Sequence, residues 1–191
     1  MTAFMTIFGS IIRTPRLHLR KVESSDIPLL ASWSNSVVAH GYYLTPDRIS
    51  VEQGYAEHAA GQHWNDQSRT FIIEMKSSLP IGTIHYWLRP EQKWCAVMAL
   101  KIAESSYRNR GYGTEAQKYI IIHLLRQMKL TRVEMYTDID NLPQQRCLKK
   151  LGFEQVESLQ YEDGGVNRTG FLYRLDVERF NRTPMYHFHY E

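Results

Sequence analysis

Apolar and polar positions alternate along several short segments of the chain, which is the period of a half-buried β-strand. The first such segment is Leu17–Arg20, and it is followed by Ser24–Asp26, a cluster of residues that favour helix N-caps. An apolar helical stretch comes next. A second helix is predicted over residues 45–64, because Thr45 suits the N-cap and Pro46 suits the first helical position.

The middle of the chain changes from a strand period to a helix period. Strands are predicted over residues 70–75, 81–88 and 94–102, and short polar connections between them indicate an antiparallel meander. A long amphipathic helix is then predicted, since a set of apolar residues and one histidine recurs every three or four positions. That set is Ala116, Tyr119, Ile120, His123, Leu124 and Met128.

The last third of the chain alternates between the two periods. A strand is predicted over residues 133–137 and a helix over 143–151, with Gly152 in the position of a C-terminal helix stop. Two final strands, 153–161 and 169–177, are joined by a turn rich in acidic residues and glycine. The element order is βααβββαβαββ, which predicts an α+β fold.

Composition narrows the class of protein. With 191 residues, of which 43% are hydrophobic and 23% charged, the chain has the balance of one globular domain over residues 1–191. The formal net charge of +3 is spread along the chain, so nucleic acid is not an expected partner. Cys95 and Cys147 lack metal-ligand spacing, and no apolar run is long enough to cross a membrane. We therefore expect a cytoplasmic protein without a metal ion and without a membrane partner.

The segment with the clearest chemistry is residues 107–114, which has the form R-x-x-G-x-G. Glycines at positions 111 and 113 remove side chains where backbone N–H groups must approach a ligand, and a predicted helix follows directly. The start of a helix attracts anions because its backbone N–H groups and dipole point at the ligand. Arg108 and Arg110 flank the glycines and can neutralise a pyrophosphate. The segment predicts a phosphate-binding loop.

A dinucleotide-binding loop is the main alternative, since residues 111–116 also satisfy G-x-G-x-x-A. Glu134 or Asp138, about twenty residues further on, would then bind the ribose. In that fold an apolar strand leads directly into the first glycine, whereas residues 104–110 are polar. The chain also lacks the repeated strand and helix of a doubly wound sheet, so the dinucleotide interpretation is disfavoured.

The loop resembles the acetyl-CoA loop of the GNAT superfamily of N-acetyltransferases, and the element order resembles that fold over nearly the whole chain. Residues 113–116, together with Asn141 and the later Lys150–Phe153, agree with the family pattern. The opening Leu17–Arg20 followed by Ser25 and Asp26 resembles the branch that acetylates ribosomal-protein N-termini. The resemblance implies a mixed, mostly antiparallel twisted sheet of about seven strands flanked by about four helices.

The resemblance also implies acetyl-CoA as a co-substrate. Its pyrophosphate would bind backbone N–H groups of the loop, and its pantetheine arm would pair with the preceding strand end as an added strand. Asn141 would bind the arm, and Lys150 would either reach the nucleotide phosphates or remain a solvated helix residue. The implied cofactor-binding residues are Lys101, Ile102, Ala103, Arg108, Asn109, Arg110, Gly111, Tyr112, Gly113, Thr114, Asn141 and Lys150.

Two positions that carry catalytic groups in many family members differ here. The position of the usual glutamate base aligns with Met98, and that of the usual tyrosine acid aligns with Leu148. His85 is the replacement base with the most suitable ordinary pKa, about 6.5, although a histidine in an alternating strand is often structural. Other candidates stay open, namely Glu74 and Glu104 as the base, and Tyr136, another tyrosine or solvent as the proton source for the thiolate.

These patterns predict transfer of an acetyl group to a primary amine by direct attack. The acceptor would be a protein N-terminus or a small polyamine-like or aminoglycoside-like molecule. The alternative is a non-catalytic acyl-CoA-binding or sensor module, which Met98 and Leu148 favour. Cys147 is interpreted as a packed helix residue. The aromatic tail at 186–190 is interpreted as a packed or flexible end, with an acceptor pocket or homodimer contact as the alternatives.

Overall fold

A computed structural model of the chain describes residues 11–163 and 165–187. The strands in these residues are β1 (Ile11–Arg13), β2 (Leu17–Lys21), β3 (Ser68–Met75), β4 (Pro80–Arg89), β5 (Gln92–Ile102), β6 (Arg132–Asp138), β7 (Glu154–Asp163) and β8 (Val166–Asp176). The α-helices are α1 (Ile27–Ser34), α2 (Val37–His40), α3 (Val51–Ala59), α4 (Tyr112–Ile122), α5 (Leu142–Lys150) and α6 (Val177–Arg182).

All eight described strands form one mixed sheet in the order β1-β2-β3-β4-β5-β6-β8-β7. Strands β1 to β5 form an antiparallel meander, of which the alternating pattern predicts the part from β3 to β5. Helix α4 carries the chain across the sheet, so that β6 pairs with β5 in parallel. The last two strands form a hairpin whose second strand, β8, pairs with β6. The predicted α+β, mostly antiparallel fold is therefore confirmed.

Helices cover both faces of the meander. On one face, Ile120 of α4 packs with Ile84 and Tyr86 of β4 in a core of fully buried side chains. On the other face, Ile27 of α1 packs with Ile72 and a valine that follows β2. Helix α3 lies so close to α1 that a Cβ at Gly54 would stand 2.8 Å from Ile27. Burial of this apolar surface is the main favourable term in the stability of the fold.

The second predicted helix is wrong at both ends. It was expected over residues 45–64 with Thr45 as N-cap, but α3 covers only residues 51–59 and its N-cap is Ser50, whose hydroxyl accepts from Gln53 N at 3.1 Å. The physical reason lies outside the segment. The backbone N–H of Thr45 donates to the carboxylate of Asp163 at 2.7 Å, which holds the preceding chain as a loop against the β7–β8 hairpin.

Three short elements account for the larger element count. Strand β1 and helices α2 and α6 were not predicted, so that the described residues contain eight strands and six α-helices where about seven and about four were expected. Helix α2 begins after Ser36, whose hydroxyl accepts from Ala39 N at 3.1 Å, and it ends at Gly41, whose φ is positive at 69°. Elements of three to six residues carry too little periodicity to be recognised from a pattern.

The described part of the aromatic tail is packed against the core. Tyr186 is fully buried, and its hydroxyl donates to the Leu151 carbonyl at 2.8 Å. Its ring lies 4.4 Å from that of Phe180. Phe188, His189 and Tyr190, the remaining residues of the predicted tail, lie outside the described residues. Among the helices of the described ranges, none has the length and apolar character needed to span a bilayer.

Candidate functional site

The candidate site lies where β5 and β6 separate. Their parallel pairing covers only residues Cys95–Val97 of β5, opposite Arg132–Glu134 of β6. Beyond it, Leu100, Lys101 and Ile102 of β5 line a cavity of about 460 Å³. The other walls are the segment after α2, the loop before α4, and the first turns of α4 and α5. On the side away from β4, the end of β5 therefore borders the cavity and not a neighbouring strand.

The loop before α4 has the backbone conformation of an anion cradle. Asn109 and Gly111 both adopt left-handed conformations, with φ of 57° and 81°. Helix α4 begins at the next residue, where the first backbone N–H groups of a helix have no intrahelical acceptor. A Cβ at Gly113 would stand 3.0 Å from the Leu100 side chain, so the helix start approaches β5 as closely as a side chain allows. These features fit a bound pyrophosphate.

The side chain of Arg108, which is predicted to neutralise a pyrophosphate, contacts backbone carbonyls in the structure. Its guanidinium donates to the carbonyls of Ile102 at 2.8 Å and Ala103 at 3.2 Å, both at the end of β5. It also donates to the carbonyls of Val38 and Ala39 in α2, at 2.6 and 2.9 Å. These carbonyls occupy Nε and one of the two terminal nitrogens, so Arg108 joins α2 to the strand end. Arg110 is the exposed arginine of the loop.

The other side of the loop is supported by the connection between β1 and β2. Glu115 of α4 accepts from the Thr14 hydroxyl at 2.6 Å and from the Arg16 backbone N–H at 2.9 Å. The Arg16 guanidinium binds Glu115, donates to the Arg110 carbonyl at 3.1 Å and lies 4.4 Å from the centre of the Tyr112 ring. The loop is thus held from both ends by arginines that bind protein groups.

Helix α5 closes the cavity from the side of β6. Asn141 caps this helix by accepting from Gln144 N at 3.2 Å. Cys147 lies 3.1 Å from the Thr114 hydroxyl and accepts from the Gln117 amide at 3.3 Å. Burial raises the pKa of the Cys147 thiol, although both hydrogen bonds oppose the rise. A protonated thiol is a poor nucleophile, which agrees with a packing role for this residue.

The wall opposite α5 contains a histidine that the sequence analysis missed. His40, the last residue of α2, lines the cavity with a side chain that is 3% exposed. Its Nε2 lies 3.2 Å from Lys101 Nζ. Desolvation lowers the pKa of Lys101, while the charge of Asp47 raises it. Nothing in the local sequence marks His40, because the contact joins residues 61 positions apart.

Most of the residues implied in cofactor binding come together at this cavity. Eight of the implied residues line it, namely Lys101, Ile102, Arg108, Asn109, Gly111, Gly113, Thr114 and Asn141. Four others do not line it. Ala103 packs against Trp33 and Ala39 behind the strand, and the side chains of Arg110 and Lys150 are exposed on the surface. The fourth, Tyr112, has its ring beneath Arg16.

The base predicted from the sequence lies elsewhere. His85 of β4 is outside the residues that line the cavity, and its Nε2 is 2.8 Å from the Ser68 hydroxyl. Burial lowers the pKa of His85 to about 4, and the nearby His63 adds to the effect. Glu74 is paired with Arg20 at 2.6 Å, and Glu104 accepts from the Trp33 indole at 2.9 Å. None of these three candidates is brought into the cavity.

The two positions at which many family members have a catalytic base and acid are buried in the core. Met98 is 1% exposed in the cluster beneath α4, and Leu148 has no exposed surface. Tyr136 accepts from Arg89 at 2.7 Å and does not line the cavity. The tyrosines that line it are Tyr42, Tyr43 and Tyr107. Within the described residues, no group of three or more histidine, cysteine or acidic side chains is arranged to hold a metal ion.

Comparison with known proteins agrees with this geometry. A family model described as an acetyltransferase (GNAT) domain matches residues 16–154. Over 144 residues, or 70% of the chain, the sequence is 31% identical to alpha/beta-tubulin-N-acetyltransferase 9 of Mus musculus. That alignment spans 59% of the mouse protein, so the chain corresponds to under two thirds of its length.

Solved structures show the same fold at low identity. RimL, a ribosomal alpha-N-protein acetyltransferase in complex with coenzyme A, aligns with a TM-score of 0.75 at 15% identity, covering 89% of this chain and 99% of that one. A chimera of the Vibrio cholerae spermidine N-acetyltransferase SpeG and hSSAT aligns with a TM-score of 0.74 at 14% identity, covering 86% and 98%.

Proposed function

The chain belongs to the GNAT acetyltransferase family, and from that premise we propose that it transfers the acetyl group of acetyl-CoA to a primary amine. The observation that carries the proposal is the cavity at the divergence of β5 and β6, which has the phosphate-type loop at one end and the His40–Lys101 pair on its wall. A donor bound along β5 would place its acetyl group between the loop and the His40–Lys101 pair.

The donor would be held mainly by the backbone. Pyrophosphate oxygens would accept from N–H groups around Gly111 and at the first turn of α4, and the exposed Arg110 would add charge. The pantetheine arm would lie against the end of β5, where the strand has β4 on one side and the cavity on the other. The Asn141 amide at the start of α5 would bind the arm from across the cavity.

The acceptor would enter from the side of α2. Residues 39–44 form that wall, and Tyr42 is 92% exposed at its edge. The named relatives act on a ribosomal protein, on spermidine and on tubulin, and all three classes of acceptor offer an amine. We propose a primary amine as the common feature, with a protein N-terminus, a polyamine or an aminoglycoside-like molecule as the acceptor classes to test.

Direct attack suits this site better than a covalent route through the enzyme. Cys147, the cavity-lining thiol, has a raised pKa and is bound by Thr114 and Gln117. The amine nitrogen would instead attack the thioester carbonyl, and the carbon–sulfur bond would break with its electrons on sulfur. A thiolate with an ordinary pKa near 8.5 is a tolerable leaving group, so an enzymic acid is useful and not obligatory.

The second candidate is an acyl-CoA-binding module without catalysis. Met98 and Leu148, at the family's usual base and acid positions, favour it, because neither buried apolar side chain can give or take a proton. The two candidates share the donor site and differ only in turnover. Any acetylation that depends on the protein excludes the binding module.

The experiment combines binding with turnover. Calorimetric titration with acetyl-CoA, with NAD as the control ligand, tests the donor half. Release of coenzyme A is then followed with spermidine, with an aminoglycoside and with peptides that carry a free N-terminal amine. Micromolar acetyl-CoA binding with release on one of these amines supports the transferase. Preference for NAD, or no acetyl-CoA binding, would overturn the proposal.

A further inference from the structure

We propose that His40 is the base that removes a proton from the acceptor amine, a role that rests on the transferase function proposed above. The residue lies in the cavity, on the wall opposite α5, and two of its neighbours determine the state of each ring nitrogen. The family's usual base position holds Met98 in the buried core, so a base must come from another element.

The first neighbour determines the tautomer. The Nδ1 atom of His40 lies 3.0 Å from the carbonyl oxygen of Ser36, one helical turn earlier in α2. A carbonyl oxygen only accepts, so Nδ1 carries the hydrogen and donates it. In a neutral imidazole the second nitrogen, Nε2, then carries the lone pair that accepts a hydrogen bond. The short helix α2 therefore presents His40 with its basic nitrogen fixed.

The second neighbour shows that this lone pair faces an amine. Lys101 Nζ lies 3.2 Å from His40 Nε2, and an ammonium group can only donate. Lys101 belongs to the part of β5 that lines the cavity, beside the proposed path of the donor. An acceptor amine has the same hydrogen-bonding chemistry as Nζ. An acceptor amine that enters from the side of α2 and displaces Nζ donates to Nε2 in its place.

Charged groups approach His40 and its helix from three elements. From β5, the Lys101 ammonium lies 3.2 Å from Nε2. From the loop before α4, the Arg108 guanidinium binds the carbonyls of the two residues that precede His40. From the loop after α2, Asp47 approaches Nε2 at 3.7 Å, with a side chain that is 57% exposed. The nitrogen Nε2 thus lies close to one amine and one largely solvated carboxylate.

The proton and electron steps balance without another reactant. The acceptor ammonium gives one proton to Nε2 and becomes a neutral amine, whose lone pair forms a bond to the acetyl carbon. The carbon–sulfur bond breaks, its electron pair goes to sulfur, and the second proton lost by the nitrogen protonates the thiolate. The imidazolium returns its proton to solvent. The products are the amide, the free thiol of coenzyme A and one proton.

The test compares the wild-type protein with His40→Gln and His40→Asn. Neither amide ionises near neutral pH, and the asparagine amide can still donate to the Ser36 carbonyl, which keeps the end of α2 in place. His63→Gln is the matched control, because His63 is partly buried and lies outside the cavity. Each protein is melted and titrated with acetyl-CoA. Coenzyme A release is then measured with spermidine and with a peptide amine from about pH 5 to pH 9.

We expect the His40 variants to bind acetyl-CoA within about twofold of wild type and to lose about a hundredfold or more in kcat. Wild type and His63→Gln should lose kcat/KM at acid pH with the ionisation of one histidine, and the His40 variants should lack that ionisation. If both His40 variants keep this ionisation in their pH profiles, with kcat within about threefold of wild type, His40 is not the base and the transferase proposal stands. If wild type binds no acetyl-CoA, or acetylates neither amine, the proposed function fails and the role of His40 fails with it.

Discussion

The guanidinium of Arg16 binds the carboxylate of Glu115 through Nε at 2.6 Å, and this pair ties the β1–β2 connection to the first turn of α4. The Glu115 side chain is 12% exposed and accepts two further hydrogen bonds, whereas Arg16 is 44% exposed. The bond joins residues 99 positions apart, directly beside the proposed pyrophosphate site. The loop is thus supported by a contact that belongs to the fold and not to the ligand.

Glu115→Ala should therefore lower both stability and donor affinity. Loss of three hydrogen bonds to a mostly buried carboxylate should reduce the free energy of unfolding by about 2 kcal/mol, measured by denaturant titration. Glu154→Ala is the control, because its pair with Arg179 is exposed and should contribute less than about 1 kcal/mol. Equal losses in the two variants would contradict a supporting role for Glu115.

A side chain at Gly111 should prevent donor binding. Gly111→Val places a β-branched residue at φ 81° in the proposed phosphate cradle, and we expect acetyl-CoA affinity to fall about tenfold or more. Gly165→Val is matched in conformation, with φ 79°, but its Cβ would meet nothing within 4 Å. Calorimetric titration of both variants with acetyl-CoA separates backbone strain from loss of ligand contact. Similar acetyl-CoA affinities for the two variants would show that the phosphates bind elsewhere.

Replacement of Cys147 should leave acetyl transfer intact. Burial raises the pKa of this thiol, so the thiol is protonated at neutral pH. Its rate of alkylation should therefore rise at a higher pH than the rate for an exposed cysteine. We expect Cys147→Ala to keep kcat within about threefold, measured by release of coenzyme A. A drop of a hundredfold, or an acetylated cysteine found by mass spectrometry, would support the covalent route instead.

Stability at low pH should depend on Asp26. Burial alone would raise the pKa of this carboxyl, but the Arg20 guanidinium and the Glu23 backbone N–H outweigh it and hold the pKa below 3.8. A pKa lowered by folding adds stability above the unfolded value and loses it as the pH falls through the folded value. Asp26→Asn should therefore destabilise the protein at pH 7, and the difference should shrink toward about pH 2. A constant difference in melting temperature across this range would contradict the ion pair as its cause.

The proposed site divides into a part that the sequence predicts and a part that it does not. The loop from Arg108 to Thr114 was recognised because its glycines and the following helix are contiguous, and backbone conformation there depends on nearby residues. The carbonyl contacts of Arg108 were not predicted, because they are not local. The carbonyls of α2 that Arg108 binds lie about seventy positions earlier in the chain. The sequence does not show whether an arginine binds a phosphate or a carbonyl.

The predicted helices and strands show the same distinction between local patterns and contacts with distant residues. Strands β3 to β5 and helix α4 were predicted because each repeats its own period over eight or more residues. The start of α3 was wrong because Asp163, on a distant hairpin, binds Thr45 and keeps it out of the helix. Local preference favoured a cap at Thr45, and one tertiary hydrogen bond overrode it.

By itself the sequence determined the α+β class, the strand and helix order, the phosphate-type loop and the family that these resemble, because each follows from periodicity or from adjacent residues. Only the tertiary structure decided which polar groups meet across the cavity. It moved the candidate base from His85, whose nitrogen binds Ser68, to His40, whose nitrogen faces Lys101. A contact of 3.2 Å between residues 61 positions apart depends on how α2 packs on β5, and no local pattern carries that information.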